Sequence, residues 1–344
     1  MNAFGAMPPA EELEQLHLIT LYLTDRCNSR CVTCDYWRHG RDNLTLEGVR
    51  RLLPDLVSLK TRVALFSGGE PLLNPQWRDI AALVAAHGMK PWLLTSGLSL
   101  AKHAAEAAKH FDSITVSLDG TNAATYQAIR GLDAFDKVCA GIRSVAAAGA
   151  AVGIRVTVQR ANYLELPHFV SLAHELGARQ VSFLAVDVSN PHAFARTDAF
   201  ADTLALTKSD LPILEALLRD MNLSCATDFA SGFIAESPVK LRRLHQYFAA
   251  LHGEDVFPLK RCNAPEFSAV VGVDGRVSPC FFIPGPEVAE VGLRAALNAG
   301  EMRALRADIR AGRRPECLRC VCPKWREHER LAVESLRLLR GSVA

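Results

Sequence analysis

Six short apolar runs rich in β-forming residues recur through the first 190 residues, and segments of helix length lie between them. The runs are Leu18–Thr24, Arg62–Ser67, Pro91–Thr95, Ser113–Leu118, Gly153–Gln159 and Gln180–Val186. The intervening segments are Leu46–Leu59, Trp77–His87, Ser99–Lys109, Phe135–Gly149 and Pro167–Leu176. Strands alternating with helices at about 30 residues per unit pair in parallel, because a parallel crossover needs a dozen or more residues. Cap signals agree: Thr45 with Glu47 close behind, Asn74-Pro75 before Trp77, and Gly88, Gly149 and Gly177 at helix ends. Six units are too few to close a barrel of eight. The pattern therefore predicts an α/β fold, a partial (βα)6 TIM-like barrel, with a flat doubly wound sheet as the competing arrangement.

After Asp187 the rhythm stops. Residues 190–258 read as helical with polar breaks, holding Lys208–Met221 and Pro238–Leu251. In Ser268–Phe282, SAVVGVDGRVSPCFF, Asp274-Gly275 separates two β-prone arms, which is a hairpin signal. Helices are expected around Leu293–Ile309 and Lys324–Leu339, with a cysteine-rich run between them. The organisation expected is a barrel over 1–190, a helical linker region over 191–258 and a hairpin-plus-helix extension over 259–344.

The 344 residues are 49% hydrophobic and 22% charged, the proportions of a globular chain with a sizeable core. With 39 basic against 37 acidic residues, charge lends no support to a nucleic-acid partner. The most apolar run, Val145 to Ile154, is far short of the roughly 20 residues needed to cross a bilayer, so no membrane partner is expected. Met1 to Leu18 lacks the basic patch and apolar core of a secretory signal. The expected compartment is the reducing cytoplasm. Ten cysteines there call for an explanation other than disulfides.

Three of them, Cys27, Cys31 and Cys34, form C-x3-C-x2-C directly after the first strand. Three thiolates within eight residues suit a soft metal or an iron–sulfur cluster. Structural zinc wants four ligands, and only His39 is near enough in sequence to offer a fourth. Three cysteines on a [4Fe–4S] cluster leave one iron open to a substrate or cosubstrate.

Here the sequence resembles the radical S-adenosylmethionine (SAM) superfamily, in which C-x3-C-x2-C binds the cluster and the open iron takes the amino and carboxylate groups of SAM. Ser67-Gly68-Gly69-Glu70-Pro71, ending the second strand, is similar to the family's GGEP motif. Thr95-Ser96-Gly97 stands where many members have Thr-Asn-Gly, and Ser117-Leu118-Asp119-Gly120 resembles an S-x-D-G contact to SAM. Tyr126 and Ile129-Arg130-Gly131 resemble a loop whose arginine pairs with an anion. Thr33 stands where members usually place an aromatic residue near the adenine, leaving Tyr36 or Trp37 for that contact. The resemblance covers about residues 16–190. It implies a SAM-binding [4Fe–4S] cluster on Cys27, Cys31 and Cys34, with Tyr36, Gly68, Gly69, Glu70, Pro71, Ser96, Ser117, Asp119 and Arg130 as SAM contacts. Taken singly, each motif has a plainer reading: GGEP as a turn, Ser117 to Gly120 as a strand end and helix cap, Arg130 as a loop anchor.

Five further cysteines, Cys262, Cys280, Cys317, Cys320 and Cys322, lie in the last third. Two thiolates flanking a hairpin and two from C-x2-C complete the shell of one [4Fe–4S] cluster, although a four-cysteine zinc site has the same spacing. The arrangement resembles the twitch domain, a shortened SPASM domain found after radical SAM barrels. The longer SPASM run is absent, so one auxiliary [4Fe–4S] cluster is expected. Cys322 could replace Cys317 or Cys320, or stand spare. Cys139, in a helical apolar pattern, reads as a small core residue, and Cys225 stands alone.

The resemblance implies reductive cleavage of SAM to a 5′-deoxyadenosyl radical, hydrogen abstraction from substrate, and an electron donor such as flavodoxin or ferredoxin. The expected substrate is a small polar metabolite undergoing oxidation, epimerisation or decarboxylation. The alternative is maturation of a ribosomally made peptide, against which stands the stretch of about 17 residues before the first strand, too short for a peptide-binding domain. A zinc- or cluster-bearing binding module is the non-enzyme alternative. No H-E-x-x-H, Walker or G-x-G-x-x-G motif is present.

Overall fold

The computed structural model describes residues 12–190, 194, 201–259, 261–285 and 292–326. The six apolar runs form β1 (Leu18–Thr24), β2 (Val63–Gly68), β3 (Lys90–Thr95), β4 (Ser113–Ser117), β5 (Val152–Val158) and β6 (Gln180–Ala185), all parallel. The hairpin forms β7 (Ser268–Val271) and β8 (Val277–Ser278), turning at Gly275 with φ +79°. It does not stand apart. β7 pairs in parallel with β1, and the sheet runs β6-β5-β4-β3-β2-β1-β7-β8.

This consecutive order decides between the two arrangements. A doubly wound sheet reverses its strand order at a switch point, and β1 to β6 never reverse. Right-handed crossovers then put every connecting helix on one face, leaving the other face to curve around a lumen. In β5, Val152, Ile154, Val156 and Val158 are buried under the helices while Gly153, Arg155 and Thr157 are half-buried on the lumen side.

The helices are α1 (Tyr36–His39), α2 (Leu46–Ser58), α3 (Trp77–Ala86), α4 (Ala104–His110), α5 (Ala123–Arg130), α6 (Phe135–Ala147) and α7 (Leu166–Glu175). Beyond the barrel come α8 (Ala201–Leu204), α9 (Leu211–Ser224), α10 (Ala226–Ser231), α11 (Pro238–Leu251), α12 (Leu293–Leu297), α13 (Gly300–Arg310) and α14 (Pro315–Leu318). Thr45 caps α2 by accepting from Gly48 N at 3.0 Å, and Val49, Leu53 and Leu56 form its buried stripe. Trp77, fully buried in α3, stacks on Phe111 at 5.5 Å. α9 packs on α11 and α11 on β6, so Leu214, Leu218, Leu241 and Phe248 share one buried cluster with the barrel.

Three expectations change. Asn74 is not the cap of α3, which begins after Gln76; its amide instead donates to Leu23 O at 2.7 Å and Leu44 O at 2.8 Å, joining the end of β1 to the start of α2. The segment expected as a loop around Tyr126 and Arg130 is helix α5, capped by Asn122 and ended by Gly131 at φ +71°. The single helix expected over Leu293–Ile309 breaks into α12 and α13 at Asn298, whose side chain turns to hold Leu13 N at 2.6 Å. The helix expected at Lys324–Leu339 lies, past Arg326, outside the described residues.

Candidate functional site

The first three cysteines sit on a loop, residues 25–35, that leaves the C-terminal end of β1 and is held from two sides. On one side Gly69 N donates to Thr24 O at 2.7 Å and Glu70 N to Arg26 O at 2.8 Å. A Cβ on Gly69 would lie 2.1 Å from Arg26 O, so only glycine lets the end of β2 close on the loop. On the other side Arg30 N donates to Arg130 O at 3.1 Å and Val32 N to Ile129 O at 3.0 Å. The glycines of the GGEP stretch thus make room for the cysteine loop itself.

All ten cysteines are free thiols, and Cys27, Cys31 and Cys34 are half-buried. Ser29 N donates to Cys27 Sγ at 3.4 Å, and Arg130 Nη1 to Cys31 Sγ at 3.3 Å. Burial pushes the Cys27 thiol up to about 11. Arg130 Nε also meets Asp119 Oδ2 at 2.8 Å. Burial works against the arginine's charge, but Asp119 and Cys31 outweigh it and hold the guanidinium protonated. Asp119, at the end of β4, takes Thr157 N from β5 through Oδ1 at 2.7 Å.

Glu70 is fully buried with its acceptor sites taken by the protein. Oε1 accepts from Thr95 Oγ1 at 2.8 Å and Leu72 N at 3.2 Å; Oε2 accepts from Ser96 N at 2.8 Å and Ser96 Oγ at 2.6 Å. This clamps the end of β2 to the end of β3, with Pro71 opening the short 3-10 turn that follows. Ser117 is half-buried at the end of β4, level with Arg155 on β5. Tyr36 lies edge-on to Tyr22 with ring centroids 6.1 Å apart. The structure thus brings the cysteine loop, Gly68 to Pro71, Ser96, Asp119 and Arg130 to the C-terminal ends of β1 to β4, where such sheets carry their chemistry.

The loop keeps polar atoms for a further group. Asn28 Oδ1 on the loop and Trp37 Nε1 on the adjoining α1 are buried without a hydrogen-bond partner. Among the described residues no three Cys, His, Asp or Glu side chains gather closely enough for a single metal ion. Three half-buried thiols on one short loop are the soft donor set that an iron–sulfur cluster takes.

Cys262, Cys280, Cys317, Cys320 and Cys322 all line one cavity of about 580 Å³. Two contacts draw the C-terminal loop to Cys262: Asn263 N donates to Lys324 O at 2.9 Å, and Asn263 Oδ1 accepts Arg326 N at 2.9 Å. Burial pushes the Cys317 thiol up to about 11, with Cys280 and Cys262 adding to it, and Cys280 in turn feels Cys262 and Cys322. Cys320 Sγ accepts Cys322 N at 3.3 Å. Cys139 and Cys225 are buried on α6 and at the end of α9, as packing residues. Sequence reasoning missed Tyr22, whose ring stands between Tyr36 and Phe281, two residues after Cys34 and one after Cys280. Its alternating position on β1 was the available signal.

Residues 21–173 match the family model for the radical SAM superfamily. The stretch from β1 into α7 is thus similar to the radical SAM domain, of a family whose chemistry uses a [4Fe–4S] cluster and SAM. The chain is 31% identical over 169 residues to the Fe-coproporphyrin III synthase of Methanosarcina barkeri, covering 47% of this chain and 42% of that protein. It is 31% identical over 165 residues to the mycofactocin maturase MftC of Mycobacterium tuberculosis, covering 46% and 42%. With the GTP 3',8-cyclase of Erythrobacter litoralis it shares 31% identity over 208 residues, covering 57% and 61%. The chain thus spans about half the length of the curated relatives it matches. In fold it is similar to Streptococcus suis SuiB bound to S-adenosylmethionine, with a TM-score of 0.64 at 16% identity over 86% of this chain and 69% of that one. It is likewise similar to anSMEcpe with bound AdoMet, with a TM-score of 0.62 at 16% identity over 84% and 82%. No helix among the described residues is long and apolar enough to cross a membrane.

Proposed function

We propose that the chain is a radical SAM enzyme that abstracts hydrogen from a small polar metabolite, in an oxidation, epimerisation or decarboxylation. One observation carries this reading: three thiols on a single loop at the end of β1, clasped by Gly69 and by the end of α5. Cys27, Cys31 and Cys34 would hold the cluster. When bound, the cluster and SAM supply the electron and the 5′-deoxyadenosyl radical that attacks an unactivated C–H bond.

The chain's own residues position and enclose. Arg130 fixes Cys31 and Asp119 together, and Glu70 holds Ser96 at the end of β3. Ser96, Ser117 and Asp119 offer polar atoms to SAM, and Tyr36 and Trp37 border the same loop. The curved sheet keeps bulk water from the reacting carbon and orients it. Cys262, Cys280 and the cysteines of 317–322 would hold one auxiliary [4Fe–4S] cluster in a twitch/SPASM-like unit over 259–344; their shared cavity supports this. Free thiols throughout suit a reducing cytoplasm, and a flavodoxin or ferredoxin would supply electrons.

Similarity to the Fe-coproporphyrin III synthase and the GTP 3',8-cyclase supports the metabolite reading. Similarity to the mycofactocin maturase supports the second, maturation of a ribosomally made peptide. Anaerobic reconstitution followed by incubation with SAM, a reductant and candidate metabolites or peptides tests all of this. About eight irons per chain and 5′-deoxyadenosine formation are expected, and replacing Cys27, Cys31 and Cys34 by Ala abolishes 5′-deoxyadenosine formation while leaving about four irons on the auxiliary site. Stoichiometric zinc without SAM turnover overturns the enzyme reading in favour of a binding module.

A further inference from the structure

A second, smaller cavity of about 220 Å³ opens beside the auxiliary cysteines. Arg155 of β5 lies at its barrel side, Lys240 and Arg243 of α11 form one wall, and Lys324 stands on the opposite loop beside Cys320 and Cys322. Four cations therefore face one carboxylate, Glu236. That carboxylate is already engaged, with Oε2 accepting Phe183 N at 2.8 Å and Oε1 meeting Lys240 Nζ at 3.7 Å. Arg155 gives only Nε to the protein, to Ser182 Oγ at 2.6 Å, and neither Arg155 nor Arg243 has a carboxylate within ion-pair distance among the described residues. Arg155 is half-buried beside the Glu236 charge, and its remaining donors open on the cavity, where an anion can take the place of water. Its planar fork matches a carboxylate or phosphate two bonds at a time.

The position matters as much as the charge. Arg155 lies in register with Ser117 on one neighbouring strand and Ser182 on the other. An anion on Arg155 would therefore sit between the end of β4, proposed above to face SAM, and the auxiliary cysteines. The cavity has room for a charged end group, a few water volumes of about 30 Å³ each, with the remainder of the molecule extending into the lumen. We propose that the substrate carries an oxyanion, a carboxylate or a phosphate, bound by Arg155, Lys240, Arg243 and Lys324. This deepens the radical SAM reading and rests on it for the word substrate, but the anion site stands on its own geometry.

The test is calorimetric titration of the anaerobically reconstituted full chain with inorganic phosphate and, separately, with malonate. At least one of the two binds the wild type, at least about tenfold tighter than it binds Arg155→Met or Arg243→Gln. Preference for phosphate assigns a phosphorylated substrate, and preference for malonate a carboxylate. Arg243 is exposed on α11, so its variant folds even if loss of Arg155 disturbs β5. If neither anion binds, or both variants bind as the wild type does, the proposal is wrong. Formation of 5′-deoxyadenosine by the wild type in the same preparation separates the two readings. Turnover without anion binding sinks only the anion site, and anion binding without turnover sinks only the radical SAM reading.

Discussion

Arg130 Nη1 donates to Cys31 Sγ at 3.3 Å while its Nε meets Asp119 Oδ2 at 2.8 Å, so one guanidinium ties the end of β4 to the cysteine loop. The guanidinium thereby fixes where the Cys31 sulfur stands as a ligand. Residues that orient ligands from behind typically matter about 10–100-fold in metal affinity. Arg130→Met should lose iron from the first site to that extent, and Arg130→Lys, which keeps the charge but not both arms, should lose less. Iron and sulfide content after reconstitution reports the outcome. Retention of full iron by the Met variant would refute the role.

Gly69→Ala drives a Cβ to within 2.1 Å of Arg26 O. Because the clash is with backbone, the cysteine loop must move. The variant should keep its circular dichroism but lose the first-site cluster signal in electron paramagnetic resonance. Gly300→Ala, where a Cβ meets nothing within 4 Å, is the control and should be silent.

Replacing Glu70 by Gln turns an acceptor into a donor opposite the hydroxyl and amide of Ser96. A buried donor left unsatisfied costs about 1–3 kcal/mol. The melting temperature should fall accordingly, and an unchanged value would show that the clamp contributes nothing.

Trp77 tests the helical layer away from the site. It is fully buried, stacked on Phe111 and edge-on to His103 and His110 at 5.9 Å each. Trp77→Ala should cost about 3–5 kcal/mol in urea unfolding, a large share of a typical domain's stability. A loss under 1 kcal/mol would mean the site collapses without leaving a cavity.

The strands were legible because alternation of buried and half-buried residues is a local property. Val152 to Val158 carry it in seven consecutive residues, and burial of one face against the helices enforces it. The cysteine spacing was legible for the same reason: three thiols within eight residues stay together whatever the rest of the chain does. α5 was missed because its eight residues span little more than two turns, too short for periodicity to stand out.

What the chain order alone determined is the six-fold alternation and the two groups of cysteines. Only the tertiary structure decided that β7 pairs with β1 across some 250 residues, that Arg130 reaches both Asp119 and Cys31, and that Arg155, Arg243 and Lys324 surround one cavity. Each of these joins residues far apart in sequence. Such contacts depend on how the sheet curves and which edge it leaves open, and no local window of residues records that.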